Sequence, residues 1–90
     1  MEEFNIIETI DRKKLLFILN PRAGTMQASK NLSDILQIFS DAGCLTSVLV
    51  TTKSGDAREF AHLYANDYDV VACAGGDGTY NEMIDGIISS

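Results

Sequence analysis

Asp69-Val70-Val71-Ala72-Cys73-Ala74-Gly75-Gly76-Asp77-Gly78-Thr79 is the stretch on which the reading of this chain turns. Its first six residues form an apolar, strand-like run. A glycine-rich turn follows and opens a helix-like run from Thr79 to Ile88. Glycines at such a turn let backbone approach a ligand closely and tolerate positive φ. The helix start just beyond offers unbonded N–H groups and partial positive charge. Together these make an anion site, most often for phosphate. Asp77 is the odd element, because a carboxylate inside a phosphate cradle repels phosphate unless a cation or a specific donor mediates. It therefore reads as a Mg²⁺-linked or network-forming residue, which points to a nucleoside triphosphate.

The turn is not a Walker A loop, since the lysine of that motif is absent. It is not the dinucleotide fingerprint, since Asn81 stands where the third glycine belongs. Thr79-Tyr80-Asn81-Glu82 fits a capping box, in which Thr79 caps the helix and Glu82 reaches back to the Thr79 N–H. Tyr80, Met83, Ile84, Ile87 and Ile88 recur at helical spacing and are expected to face the core. Asn81 and Asp85 fall on other faces and are expected to be polar or functional.

Working outward, Lys14 to Asn20 is a continuous apolar run stopped by Pro21, as for a strand buried on both faces. Gln27 to Ala42 reads as a helix with Leu32, Ile35, Leu36 and Phe39 on one face, ended by Gly43. Leu45 to Thr52 reads as a second strand. Asp56 to Ala65 reads as a second helix, with Phe60, Leu63 and Tyr64 apolar and with Asp56 and Glu59 capping its first turn. Residues 1–13 read as a loosely held leader. The order βαβαβα with short connections predicts an α/β fold: a parallel sheet with flanking helices, three-layered and Rossmann-like. Ligands in such sheets bind beyond the carboxyl ends of the strands, where this chain places three polar loops.

Composition agrees with one small domain or part of a larger one. The 90 residues are 46% hydrophobic and 22% charged, with a formal net charge of −6. That balance argues against nucleic-acid binding and against strong docking to anionic lipid. The apolar runs are too short to span a bilayer, and no signal-peptide pattern opens the chain. Cys44 and Cys73 lack metal-ligand spacing, and Cys73 reads as a buried free thiol, so the cytoplasm is the expected location.

Three elements, each after a strand, resemble the diacylglycerol kinase catalytic domain family of lipid kinases. Asn20-Pro21-Arg22-Ala23-Gly24 resembles its NPxxG element. Thr51 with Gly55-Asp56-Ala57 resembles T-x-x-x-G-D-A, and Gly75 to Glu82 resembles GGDGTxNE. The GGDGT core alone is shared with NAD kinases and phosphofructokinases, while Asn81-Glu82 and NPxxG favour the lipid kinases. The resemblance covers residues 14–90 and implies the N-terminal portion of an ATP-binding domain, completed by a β-rich second domain.

By that resemblance, Asn20 and Thr51 contact ATP, and Gly75, Gly76, Asp77, Gly78, Thr79, Tyr80, Asn81 and Glu82 hold its phosphates. Asp77 is the catalytic candidate, organising phosphate and Mg²⁺. No residue of the chain is assigned as a metal ligand, and the acceptor site and catalytic base are expected in the missing part. The implied activity is ATP-dependent phosphorylation of a lipid hydroxyl such as diacylglycerol's, in phospholipid metabolism, with these 90 residues inactive alone. Any membrane contact is expected to be transient, peripheral and made by the second domain. The alternatives are a non-catalytic nucleotide-binding module and an NAD kinase. Arg22 is open between a phosphate contact and a solvated charge, Lys53 reads as solvated, and His62 as a surface histidine.

Overall fold

The computed structural model describes residues 12–22 and 30–90. Residues 1–11 of the expected leader, Ala23 and Gly24 of the first loop, and the expected helix start at 27–29 lie outside them. Lys13, assigned to the leader, already belongs to the first strand.

The apolar run at Lys13–Leu19 forms β1, and Leu15 to Leu19 are all buried. A strand can bury every side chain only if both its faces are covered. Both are, because β1 is central: β2 (Cys44–Val50) pairs on one side and β3 (Val70–Ala74) on the other, both parallel. On one face Leu15, Phe17 and Leu19 pack against Leu32, Ile35 and Phe39 of α1 (Leu32–Asp41). The rings of Phe17 and Phe39 meet edge-on, 5.5 Å between centroids, a favoured aromatic geometry. On the other face Leu16 and Ile18 pack against Ala57 and Ala61 of α2 (Asp56–Tyr64) and Met83 of α3 (Asp77–Ser89). The architecture is three-layered α/β, as expected from the element order.

Gly43 ends α1 at φ +87°, the left-handed geometry of a helix stop. The second strand starts one residue earlier than expected, at Cys44, and stops at Val50. A 3₁₀ turn over Ala65–Asp67 follows α2 and leads into β3.

The helices depart from the expected faces. Tyr80 and Ile88, expected in the core, are 53% and 78% exposed, and the buried residues of α3 are Thr79, Met83 and Gly86. In α2, Leu63 and Tyr64 are exposed while Asp56, Ala57 and Ala61 are buried. The cause is close contact between α2 and α3 through small side chains. A Cβ on Gly86 would collide with the Arg58 carbonyl oxygen and lie 2.8 Å from the Ala61 Cβ. Small residues, not large ones, therefore define the stripe where the helices touch. Arg58 and Asp85 pair across the same seam at 2.6 Å, but both are about half or more exposed, so the pair adds little.

Gly86→Ala should destabilise the fold even though alanine is the better helix former. The obstructing atom is backbone and cannot rotate away. Overpacking costs about 1–3 kcal/mol, against roughly 1 kcal/mol gained from helix propensity. A net loss of about 1 kcal/mol, read as a lower urea midpoint at unchanged m-value, is the expected result.

Candidate functional site

The register of β1 places Leu19 opposite Val50 on one side and Ala74 on the other, so all three strands end at one level. The ladders run one residue further, with Thr51 N donating to Leu19 O at 2.8 Å and Asn20 N to Ala74 O at 2.9 Å. The chain after β1 leads to α1 on one face of the sheet, and the chain after β3 leads to α3 on the other. Neighbouring strands whose connections diverge create a crevice at their carboxyl ends. An open cleft of about 290 Å³ lies there, lined by Asn20, Arg22, Thr51, Lys53, Ser54, Ala57, Gly76, Gly78, Thr79 and Glu82.

Hydrogen bonds tie the loops after β1 and β2 to the first turns of α3. Asn20 Nδ2 donates to Thr79 Oγ1 at 3.0 Å, while Asn20 Oδ1 accepts the Arg22 N–H of its own turn at 3.1 Å. Gly55 N donates to both carboxylate oxygens of Glu82, at 3.2 and 3.3 Å. These contacts replace the expected capping box. The cap position is Gly76, whose carbonyl accepts from Thr79 N and Tyr80 N, and no side chain caps this end. Thr79 and Glu82 are drawn off by partners more than twenty residues away in sequence, which the local pattern does not show.

The glycines divide by function. Gly75 makes room for protein: a Cβ there would sit 2.6 Å from Thr79 Oγ1. Gly76 and Gly78 line the cleft, and a Cβ on either would meet nothing within 4 Å. None of the three has the positive φ allowed for in the sequence; Gly76 is extended at φ −89°, ψ −172°. Positive φ occurs instead at Gly43 and Gly55.

The second loop is built on Asp56. This carboxylate is 4% exposed. Its Oδ2 accepts from Thr52 N at 2.7 Å, Thr52 Oγ1 at 2.9 Å and Lys53 N at 3.1 Å, and its Oδ1 from Lys53 Nζ at 2.6 Å. Asp56 thus faces back onto the loop before α2 instead of capping the helix, whose cap position is Gly55. The Lys53 ammonium, with the donated hydrogen bonds, holds the Asp56 carboxyl far below the usual carboxylate range. The same pairing raises the Lys53 pKa, so its charge persists. Beside this loop Thr51 is 3% exposed, lines the cleft, and its buried Oγ1 finds no hydrogen-bond partner among the described residues.

Of the residues singled out in the sequence, the cleft gathers Asn20, Thr51, Gly76, Gly78, Thr79 and Glu82. Gly75, Asp77, Tyr80 and Asn81 do not line it, and Asp77 is the exposed first residue of α3. Lys53, read as a solvated charge, lines the cleft in an ion pair, and Ser54 and Ala57 join it. All three belong to the T-x-x-x-G-D-A element, Lys53 and Ser54 at its variable positions, and that was the available signal. Asp85 is taken up by Arg58, and His62 is exposed with Nδ1 3.2 Å from Ser89 Oγ. Cys44 and Cys73 are unbonded and half-buried, and burial pushes the Cys73 thiol up, away from the reactive thiolate.

The cleft fits a phosphate chain: two open glycines at an uncapped helix start, an unbonded buried hydroxyl, and the cations Arg22 and Lys53. Among the described residues no three His, Cys, Asp or Glu side chains converge. A Mg²⁺ ion here would rely on phosphate oxygens and water with at most a carboxylate or two, its usual manner. No described helix is long and apolar enough to cross a membrane.

The profile of the diacylglycerol kinase catalytic domain matches residues 14–90. The chain belongs to that family. A diacylglycerol kinase of Staphylococcus saprophyticus is 44% identical over 77 residues, covering 84% of this chain and 25% of the relative. A sphingoid long-chain bases kinase of Arabidopsis thaliana is 39% identical over 79 residues, covering 84% and 10%. The crystal structure of a diacylglycerol kinase from Bacillus anthracis superposes with a TM-score of 0.67 at 30% identity, covering 87% of this chain and 29% of that one. A further solved chain from the same strain gives 0.73 at 34% identity, covering 82% and 27%. The chain thus spans about a quarter of the bacterial relatives it matches.

The Asp56 loop gives this chain's fold a pH signature. A carboxyl whose folded pKa is depressed stabilises the fold fully above its unfolded pKa, about 3.9. That contribution shrinks as pH falls below this value and is gone once pH passes the folded pKa. Asp56→Asn should lower the melting temperature at neutral pH, and the gap to wild type should narrow below about pH 4. Thermal melts of both proteins across pH would show it; a gap independent of pH would contradict it.

Proposed function

We propose that the full-length protein is an ATP-dependent lipid kinase and that the cleft at the strand ends holds the phosphates of ATP. The observation that carries this reading is the pairing of Gly76 and Gly78, which leave open space, with the uncapped start of α3. Backbone N–H groups there can approach phosphate oxygens with no side chain between. Asn20, Thr51 and Thr79 supply short polar groups at the same level, and Arg22 and Lys53 supply positive charge. The names of the relatives, diacylglycerol kinase and sphingoid long-chain bases kinase, support a lipid hydroxyl as acceptor.

In this reading the acceptor oxygen attacks the γ-phosphorus. The new O–P bond forms as the bond to the β–γ bridging oxygen breaks, ADP leaves, and the hydroxyl proton passes to a base outside the described residues. Phosphoryl transfer depends chiefly on positioning and on neutralising the phosphate oxygens. Mg²⁺, when bound, would supply positive charge that neutralises the phosphates. Glu82, through Gly55, holds the second loop at the cleft, and Asn20, through Thr79, holds the first. Asp77 stands between the two open glycines, where a carboxylate at the first helical position also suits the helix dipole. Its proposed role is to organise the phosphates and their Mg²⁺. The acceptor lipid is held by the part of the protein that the relatives' greater length implies.

A labelled-ATP transfer assay on the full-length protein tests this, with diacylglycerol, sphingosine, ceramide, phosphatidylglycerol and NAD offered in parallel. Label should enter a lipid, and Asp77→Ala should lower turnover by orders of magnitude without unfolding the protein. Label in NADP would assign an NAD kinase instead. ATP binding with no transfer to any acceptor would assign a non-catalytic nucleotide module.

A further inference from the structure

Polyphosphate must enter this cleft against the chain's own field, since 13 acidic residues outnumber 7 basic ones. Two of the basic residues line the cleft, Arg22 from the β1 end and Lys53 from the β2 end. Others are placed elsewhere: Arg58 pairs with Asp85, and Lys14 lies over the Tyr68 ring, 5.7 Å from its centroid, at the start of β1. Cations at the cleft therefore decide whether a polyanion is held.

We propose that Lys53 is a phosphate-binding residue of the cleft, presented to the nucleotide by Asp56; this rests on the nucleotide reading above. Asp56 is a positioning residue. It is 4% exposed and fixed by three hydrogen bonds to Oδ2 besides the ammonium on Oδ1. The anchor cannot follow the lysine into solvent, so the ammonium is held beside the cleft before any ligand arrives. Much of the rotamer freedom that a lysine normally gives up on binding is already gone.

The ammonium also keeps capacity for a ligand. It has three N–H donors, and Asp56 is its partner among the described residues. The Lys53 side chain is 72% exposed against 6% for Asp56, so the cation faces solvent and the anion does not. Two backbone N–H groups and a hydroxyl further satisfy Asp56, which reduces the repulsion a phosphate would feel. Thr51, with its unbonded hydroxyl, lies two residues away on the same loop. The raised Lys53 pKa keeps the ammonium charged throughout the neutral range.

Calorimetric titration of the full-length protein with ATP, ADP and adenosine tests this, comparing wild type with Lys53→Gln and Lys53→Arg. The loss of one charge-assisted contact corresponds to roughly tenfold in affinity. Lys53→Gln should weaken ATP and ADP by about that factor and leave adenosine unchanged. Lys53→Arg should retain most of the ATP affinity, since it keeps the charge. The salt dependence of ATP binding should also flatten in Lys53→Gln. Equal ATP affinity in Lys53→Gln would overturn the inference alone, as would a matching loss of adenosine affinity, which would mark a displaced loop. A wild-type protein that binds no adenine nucleotide would overturn the nucleotide reading and this inference with it.

Discussion

Everything in this molecule depends on β1 being buried on both faces and paired on both edges. A strand so placed must carry apolar side chains at every position, and Leu15-Leu16-Phe17-Ile18-Leu19 do. Its two faces recruit different helices, α1 on one and α2 with α3 on the other. Its two edges set the register that brings Val50 and Ala74 level with Leu19. The cleft is a consequence of that register. Loops leaving three parallel strands at one height, toward helices on opposite faces, cannot fill the space between them.

The first turns of α3 convert that space into a defined site. Thr79 and Glu82 project from one helix to different loops, so one rigid element holds the β1 and β2 connections in place. This explains the unequal tasks of the glycines. Gly75 and Gly86 let protein pack on protein, under Thr79 and against α2. Gly76 and Gly78 leave volume that the protein does not use. A turn with the same composition but Cβ atoms at the second pair would keep the fold and narrow the cleft.

Charge is arranged with similar economy. The chain is acidic overall, yet its cleft carries Arg22 and Lys53, and the nearest buried carboxylate, Asp56, is surrounded by donors. Family membership accounts for the arrangement of the strand-end elements. The Lys53–Asp56 pair adds a cation beside the cleft on a buried anchor.

Much of this was legible in the amino-acid order. Element type and sequence followed from apolar runs and glycine stops, because local burial and backbone geometry leave periodic traces. The strand-end motifs located the candidate cleft, since three polar loops after parallel strands must share one edge. Only the tertiary structure decided which side chains those loops exchange. The capping box reads correctly as a local pattern, yet Thr79 and Glu82 bond to Asn20 and Gly55 instead. Tyr80 and Ile88 have core-like spacing, yet close contact through Gly86, Ala57 and Ala61 turns them to solvent. Lys53 looks solvated in one dimension and proves to be anchored at the cleft. In the first two cases the deciding partner is distant in sequence or too small to register as hydrophobic, and periodicity records neither; Lys53 is exposed as read, and only the cleft beside it was hidden.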